Sequence, residues 1–457
     1  MFGLLASAVV ANHAFLPANA PKLVLLISID QGRADYIDRF SDLYIPPKSG
    51  RGLRWLSETG VRYTDAHHHH VPTFTAVGHS VLMTGSVPAI TGIVGNEWWD
   101  RVKGKEHYST EDDAYKTIGG DSDAQSARPL QVTTVGDELK MATNGRSKVV
   151  GISFKDRASI LMAGHAADQV VWFDYKAGNF VTSTYFGNSL PKWADEYNKS
   201  RAVDNYLGKT WKPSLPESAY VNARNAPHEK GPKMFAHKHP SERTSNYYSS
   251  VVASTDGQDV IFDLTEKAIQ TEKLGQHETP DVLVLNLASN DYVGHGWGPN
   301  SPEVMDVWAV TDKRMSRLMN MLDKQVPGGI DKVAVVVTAD HGVSAIPSEM
   351  SDVYKIGAGR VSGKTILNTV ETALDTKYGE AKWALDYNGS NIYLDRSVMD
   401  AKHLNHEEVE QTAADAAMSV PGVYQAYTRT SVLQGRLPEI PFKEWVTNGL
   451  NPLVGGD

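Results

Sequence analysis

The chain has 457 residues, 41% of them hydrophobic and 22% charged, with a formal net charge of −9 and no cysteine. That length suits one large α/β domain carrying insertions, or two to three smaller domains, with enough apolar content for a sizeable core. The negative charge argues against a general nucleic-acid binder. With that charge an anionic ligand would need metal ions or a few placed cations, and the missing thiols exclude disulfides, cysteine metal ligands and a cysteine nucleophile.

In chain order, the apolar run Met1–Ala11 followed by Ala18-Asn19-Ala20 reads as a signal peptide over residues 1–20, although it lacks a basic start. The expectation is a periplasmic or secreted protein beginning near Pro21. No other segment is apolar over a length that would insert stably in a bilayer. Lys22 to Ile29 is a continuous branched apolar run, the pattern of a strand buried on both faces, and it ends at Asp30. Pro72 to Gly85 then places Thr75 ahead of a short apolar stretch containing Gly78 and His79, so Thr75 is expected to begin a helix. The open N–H groups and dipole of a helix start attract an anion, and phosphate is the commonest one found there; an ordinary Thr N-cap is the bland alternative. Gly95-Asn96 follows before an aromatic pair.

Three further apolar runs repeat the first pattern. Val149–Phe154 leads to Lys155-Asp-Arg157, Val282–Leu287 leads to Asp291, and Val333–Thr338 leads to Asp340-His341. A single Asp after a strand is usually a cap or turn residue. Four strands that each deliver ionisable residues at their C-terminal ends are better explained by one ligand-binding edge of an open parallel sheet. Between them, Asp259 to Gly275 and the stretch opened by Ser301-Pro302-Glu303 show helical spacing, the second with an N-cap serine and Pro at the first helical position.

Strands alternating with helices predict an α/β fold, a mostly parallel sheet sandwiched between helices. Residues 21–345 form the expected core. The segments at about 97–146 and 165–255, the latter containing the polar tract Asn222 to Tyr247, lack the alternation and read as cap insertions over the C-terminal edge of the strands. Residues 346–457 read as the remainder of the core with a further insertion: a strand near Asn391–Leu394, helices near His406–Met418 and Phe442–Gly449, and an abrupt end expected to mark a truncated C-terminus.

The residue types at the strand ends suit metal-assisted phosphoryl chemistry. Asp291 and His295 stand four apart, Asp340 and His341 side by side, and Asp30 supplies a third carboxylate, which is nearly enough for two zinc ions at ~4 Å. A threonine hydroxyl is a poor nucleophile unless a metal lowers its pKa. Lys155 and Arg157 match the charge and shape of a phosphate monoester, and Asn96 offers another donor.

These motifs together resemble the alkaline phosphatase superfamily, specifically the type I phosphodiesterase/nucleotide pyrophosphatase family and its branch of bacterial alkaline phosphatases with a threonine nucleophile. The resemblance rests on Asp30-Gln31, Thr75-x-x-Gly-His79 with the following Thr-Gly-Ser-x-Pro and Gly95-Asn96, Lys155-Asp-Arg157, Asp291-Tyr-x-Gly-His295 and Asp340-His-Gly342. It implies an alkaline phosphatase-like fold and two zinc ions, one held by Asp30, Thr75, Asp340 and His341 and the other by Asp291 and His295. It further implies small phosphate esters as substrates, a phospho-threonine at Thr75, and Asn96, Lys155 and Arg157 as oxygen-binding groups. The Lys/Arg pair points to monoesters. A phosphodiesterase with the same nucleophile and an inactive metal-binding fragment remain as alternatives. The family's second zinc takes a further histidine for which this sequence offers no counterpart: His403 and His406 stand in a polar stretch that reads as surface. His67 to His70 reads as the approach strand before the nucleophile rather than a metal tract, and Ala358 to Thr365 departs from a P-loop in its first residue and its missing strand. Oligomeric state is left open.

Overall fold

The computed structural model describes residues 19–221, 223 and 235–457. The signal-peptide reading falls almost wholly outside the described residues, as does part of the polar tract from 222 to 247. Seven strands form the main sheet: β1 (Leu23–Ile29), β2 (Thr117–Ile118), β3 (Val149–Ile152), β4 (Gln169–Asp174), β5 (Asn179–Ser183), β6 (Asp281–Leu287) and β7 (Val333–Thr338). Their order across the sheet is β7-β1-β6-β3-β4-β5-β2. The first five are parallel, and β5 and β2 add antiparallel at the far edge.

Alternation along the strands divides the core into two layers. Leu23, Leu25, Ile27 and Ile29 of β1 face the helices Thr255–Glu272 and Pro302–Gln325, represented by Ile261, Leu264, Val307 and Met315. Leu26, Val282 and Val284 face the opposite layer with Ile160 and Met162 of the helix Asp156–Ala163. Helices on both faces explain why the central strands carry no polar alternation, and every residue of β6 is buried.

Parts of the segments at 97–146 and 165–255 belong to the main sheet. β2 comes from the first, and β4 and β5 from the second, and all three extend the main sheet. Gly178, at φ 67°, closes the β4–β5 hairpin, and the carboxylate of Asp174 accepts four backbone N–H groups, from Asp121, Ser122, Lys176 and Ala177. Two small antiparallel pairs complete those segments, Glu97–Asp100 with Lys105–Tyr108 and Thr210–Trp211 with His237–Lys238.

Residues beyond 346 build a satellite core. The hairpin Ala384–Asn388/Asn391–Leu394 packs with helices Gly363–Tyr378 and His406–Met418 around Val370, Leu374, Trp383 and Val409. His67 to His70 form no strand: the Val71 amide, just beyond them, donates to the Trp445 carbonyl, and Asn448 donates to the His69 carbonyl, so this stretch is tied to a helix instead of a sheet edge. His403 is exposed and His406 Nε2 lies 2.8 Å from Asp400, both on the satellite unit.

Candidate active site

The C-terminal ends of β1, β3, β6 and β7 bring the singled-out residues together. Asp30 follows β1 directly. Lys155 lies three residues beyond β3, Asp340 two beyond β7, and Asp291 and His295 occupy one face of the helix Ser289–Trp297 that follows β6. Thr75 is the first residue of the helix Thr75–Leu82, and its Oγ1 lies 3.4 Å from His341 Nε2. Helix and strand end meet closely because residue 78 is glycine: a Cβ there would lie 2.0 Å from the Asp340 carbonyl oxygen.

His79 is buried and pins this arrangement. Its Nδ1 donates to the Thr75 carbonyl at 2.8 Å, and its Nε2 lies 3.1 Å from Ser28 Oγ and 3.0 Å from Asn286 Nδ2. Burial pushes the imidazole down to about 3, so the ring is neutral and Nε2 accepts. Gln31, at φ 59°, bridges the two acidic groups: its amide N–H donates to Asp340 Oδ1 at 3.1 Å and its side chain to Asp291 Oδ1 at 2.9 Å. No local signal in the sequence assigned Gln31 that part.

Three buried carboxylates face one ammonium. Lys155 Nζ lies 2.6 Å from Asp291 Oδ2 and 3.1 Å from Asp30 Oδ2. Despite burial, which disfavours its charge, the lysine is held above its ordinary range by those two neighbours. Asp291 is held below the usual carboxylate range: burial opposes its charge, but Lys155 and His295, whose Nε2 is 3.2 Å from Asp291 Oδ1, outweigh it. Asp340 is pushed well above that range, first by burial and then by repulsion from Asp30.

The donor set fits a zinc ion. Asp30 Oδ1 and Asp340 Oδ2 are buried and make no hydrogen bond among the described residues, the condition in which an oxygen pair awaits a cation. His341 Nε2 lies 3.6 and 3.3 Å from them, and one ligand atom from each of the three residues falls within 4.8 Å of the others. His341 Nδ1 donates to the Gly342 carbonyl at 2.8 Å, which fixes the tautomer and leaves the Nε2 lone pair toward the carboxylates. Among the described residues this is the one group of three or more candidate ligands that meets; Asp291 and His295 stand as a pair.

Asn96 and Arg157 are each held by a specific neighbour. Asn96 Oδ1 accepts from the Ala76 N–H at 2.9 Å, so one amide of the helix start is already satisfied and the Asn96 NH2 is left as a donor. Arg157 Nη1 donates to Tyr108 Oη at 2.8 Å. Tyr108 is a second residue that sequence reasoning missed, because nothing within the stretch Lys105–Tyr108 marks it.

The sequence profile of the type I phosphodiesterase/nucleotide pyrophosphatase family matches residues 24–439. The chain belongs to that family. Among its relatives, a Myroides odoratus protein named calcium-transporting ATPase is 34% identical over 442 residues, 94% of this chain and 79% of that protein. The alkaline phosphatase PhoV of Synechococcus elongatus is 34% identical over 448 residues, covering 96% of this chain and 79% of its own length. The alkaline phosphatase PafA of Elizabethkingia meningoseptica is 33% identical over 447 residues, 96% of this chain and 80% of that protein. Its crystal structure superposes with a TM-score of 0.87, covering 97% of this chain and 84% of PafA's. Within the family the chain therefore stands beside bacterial alkaline phosphatases and shares their fold, a mostly parallel sheet flanked by helices.

Proposed function

We propose that this protein is an exported, zinc-dependent alkaline phosphatase that hydrolyses small phosphate monoesters through a phospho-threonine at Thr75. The observation that carries the reading is the approach of Thr75, at a helix start, to His341, whose Nε2 lies 3.6 and 3.3 Å from the buried Asp30 and Asp340 oxygens that make no hydrogen bond among the described residues. Its kinship with PafA and PhoV supports the reaction class. The apolar run with Ala18-Asn19-Ala20 supports export.

Asp30, Thr75, Asp340 and His341 would hold one zinc, and Asp291 with His295 a second. Bound there, zinc supplies Lewis acidity that lowers the pKa of a hydroxyl and offsets charge on the transferring phosphoryl group. Thr75 Oγ1 attacks phosphorus in line with the departing ester oxygen, forming one P–O bond as the other breaks. Water then displaces Thr75 and releases inorganic phosphate. Asn96 donates to one non-bridging oxygen, Arg157 presents a planar pair of N–H groups to others, and Lys155 supplies positive charge beside Asp30 and Asp291. His79 holds the Thr75 end of the helix, and Gln31 keeps Asp340 and Asp291 in register.

Arg157 gives the cleaner test, because Lys155 also neutralises Asp30 and Asp291. Arg157→Ala should lower kcat/KM for an aryl phosphate monoester by about a hundredfold or more and that for the matching diester far less. Equal losses on both esters, or a wild-type preference for the diester, would move the assignment to phosphodiester hydrolysis.

A further inference from the structure

We infer that Tyr108 is a positioning residue that sets the guanidinium of Arg157 for the phosphoryl group, and that the hairpin Glu97–Tyr108 is the mount for both Arg157 and Asn96. This rests on the reading above in which Arg157 meets the phosphoryl oxygens. The Tyr108 hydroxyl accepts from Arg157 Nη1 at 2.8 Å and donates to Asp156 Oδ1 at 2.5 Å, while the guanidinium carbon lies 5.9 Å from the centre of its ring.

The phenol is a relay. Arg157 Nη1 is 4.0 Å from Asp156 Oδ1, too far for a hydrogen bond, and Asp156 Oδ1 already accepts the Arg157 backbone N–H at 2.6 Å. Tyr108 Oη fills the gap, so the carboxylate orients the guanidinium through the phenol. Nη1 has no other hydrogen-bond partner among the described residues. Arg157 Nε is buried with no partner, so the ring and the one hydrogen bond carry the orientation. An arginine left without them keeps several rotatable bonds, and the freedom lost on binding a substrate then weakens that binding. Lys155 has no such need, because two carboxylates hold it.

The same hairpin fixes Asn96. Glu97 pairs with Tyr108 in the antiparallel register, and the Ser109 N–H donates to the Asn96 carbonyl at 2.9 Å. Two of the three oxygen-binding side chains therefore depend on one hairpin, which sequence reading had placed in a cap.

The test is a double-mutant cycle of Tyr108→Phe and Arg157→Ala, read as kcat/KM for an aryl phosphate monoester and as inhibition by inorganic phosphate. Phenylalanine keeps the ring and removes the hydrogen bonds. Tyr108→Phe should lower kcat/KM about tenfold and weaken phosphate inhibition in parallel, with the midpoint of thermal unfolding lowered by only a few degrees and no further loss of activity when Arg157 is already alanine. The same fold loss in both backgrounds, or none in the wild-type background, overturns the positioning role while leaving the phosphatase reading intact. Arg157→Ala with undiminished monoester turnover overturns the assignment of Arg157 itself and the inference with it.

Discussion

Replacing Gly78 by alanine should disable the enzyme without unfolding it. The added Cβ would lie 2.0 Å from the Asp340 carbonyl oxygen, 2.6 Å from its carbon and 2.8 Å from Cα, all backbone atoms that no rotamer change can move aside. Real Cβ contacts stay beyond 3.0 Å, so the helix Thr75–Leu82 or the segment after β7 must shift by about 1 Å. Two stability effects oppose each other. Overpacking costs about 1–3 kcal/mol, whereas alanine in a helix interior is favoured over glycine by about 1 kcal/mol. A net destabilisation of about 0–2 kcal/mol leaves a protein this size folded. The same shift separates Thr75 from Asp340 and His341, and a 1 Å misplacement at a reacting centre costs on the order of a hundredfold in rate. Thermal unfolding should therefore change little while kcat for an aryl phosphate falls about a hundredfold. Wild-type turnover by Gly78→Ala would refute the claim that this approach positions Thr75.

Two further outcomes concern metal and pH. Zinc retained after desalting should approach one ion per chain, lost on Asp340→Asn, with a second ion bound more weakly because, among the described residues, Asp291 and His295 stand there as a pair; two equally retained ions would contradict this. Asp174→Asn should cost about 1–3 kcal/mol at neutral pH by weakening the four N–H bonds to that carboxylate. Burial opposes the Asp174 charge, but those bonds outweigh it and lower its pKa. The stability it contributes is thus present above the unfolded value near 3.9 and lost as pH falls through the folded value. Urea unfolding should show wild type and variant converging only in that acid range, and convergence near neutrality would contradict the assignment.

The parts of the fold legible in the sequence are those governed by short-range pattern. Leu23 to Ile29 is apolar at every position but Ser28, whose hydroxyl meets His79, because both its faces are covered, and the polar residue that ends it stands at the sheet edge where Asp291 and Asp340 also arrive. The β4–β5 hairpin escaped notice because no helix follows Gln169 to Asp174: the chain turns straight back into Asn179–Ser183, and its place in the sheet depends on pairing with β3. Tyr108 and Gln31 carry no mark of their contacts. Their partners, Asp156 and Arg157 for one and Asp291 and Asp340 for the other, are distant along the chain, and only the folded structure joins them. The spacing of Asp291 and His295 was legible, but the reason it works, one face of a helix after β6, is a property of the fold.

The central claim is that Thr75 takes the phosphoryl group. Zinc-loaded protein mixed with an aryl phosphate monoester and quenched in acid within one turnover should carry a phosphoryl group that peptide mass spectrometry maps to Thr75, with none on Thr75→Ala and no turnover by that variant. Undiminished hydrolysis by Thr75→Ala, or a phosphoryl group on a different residue, would contradict the account.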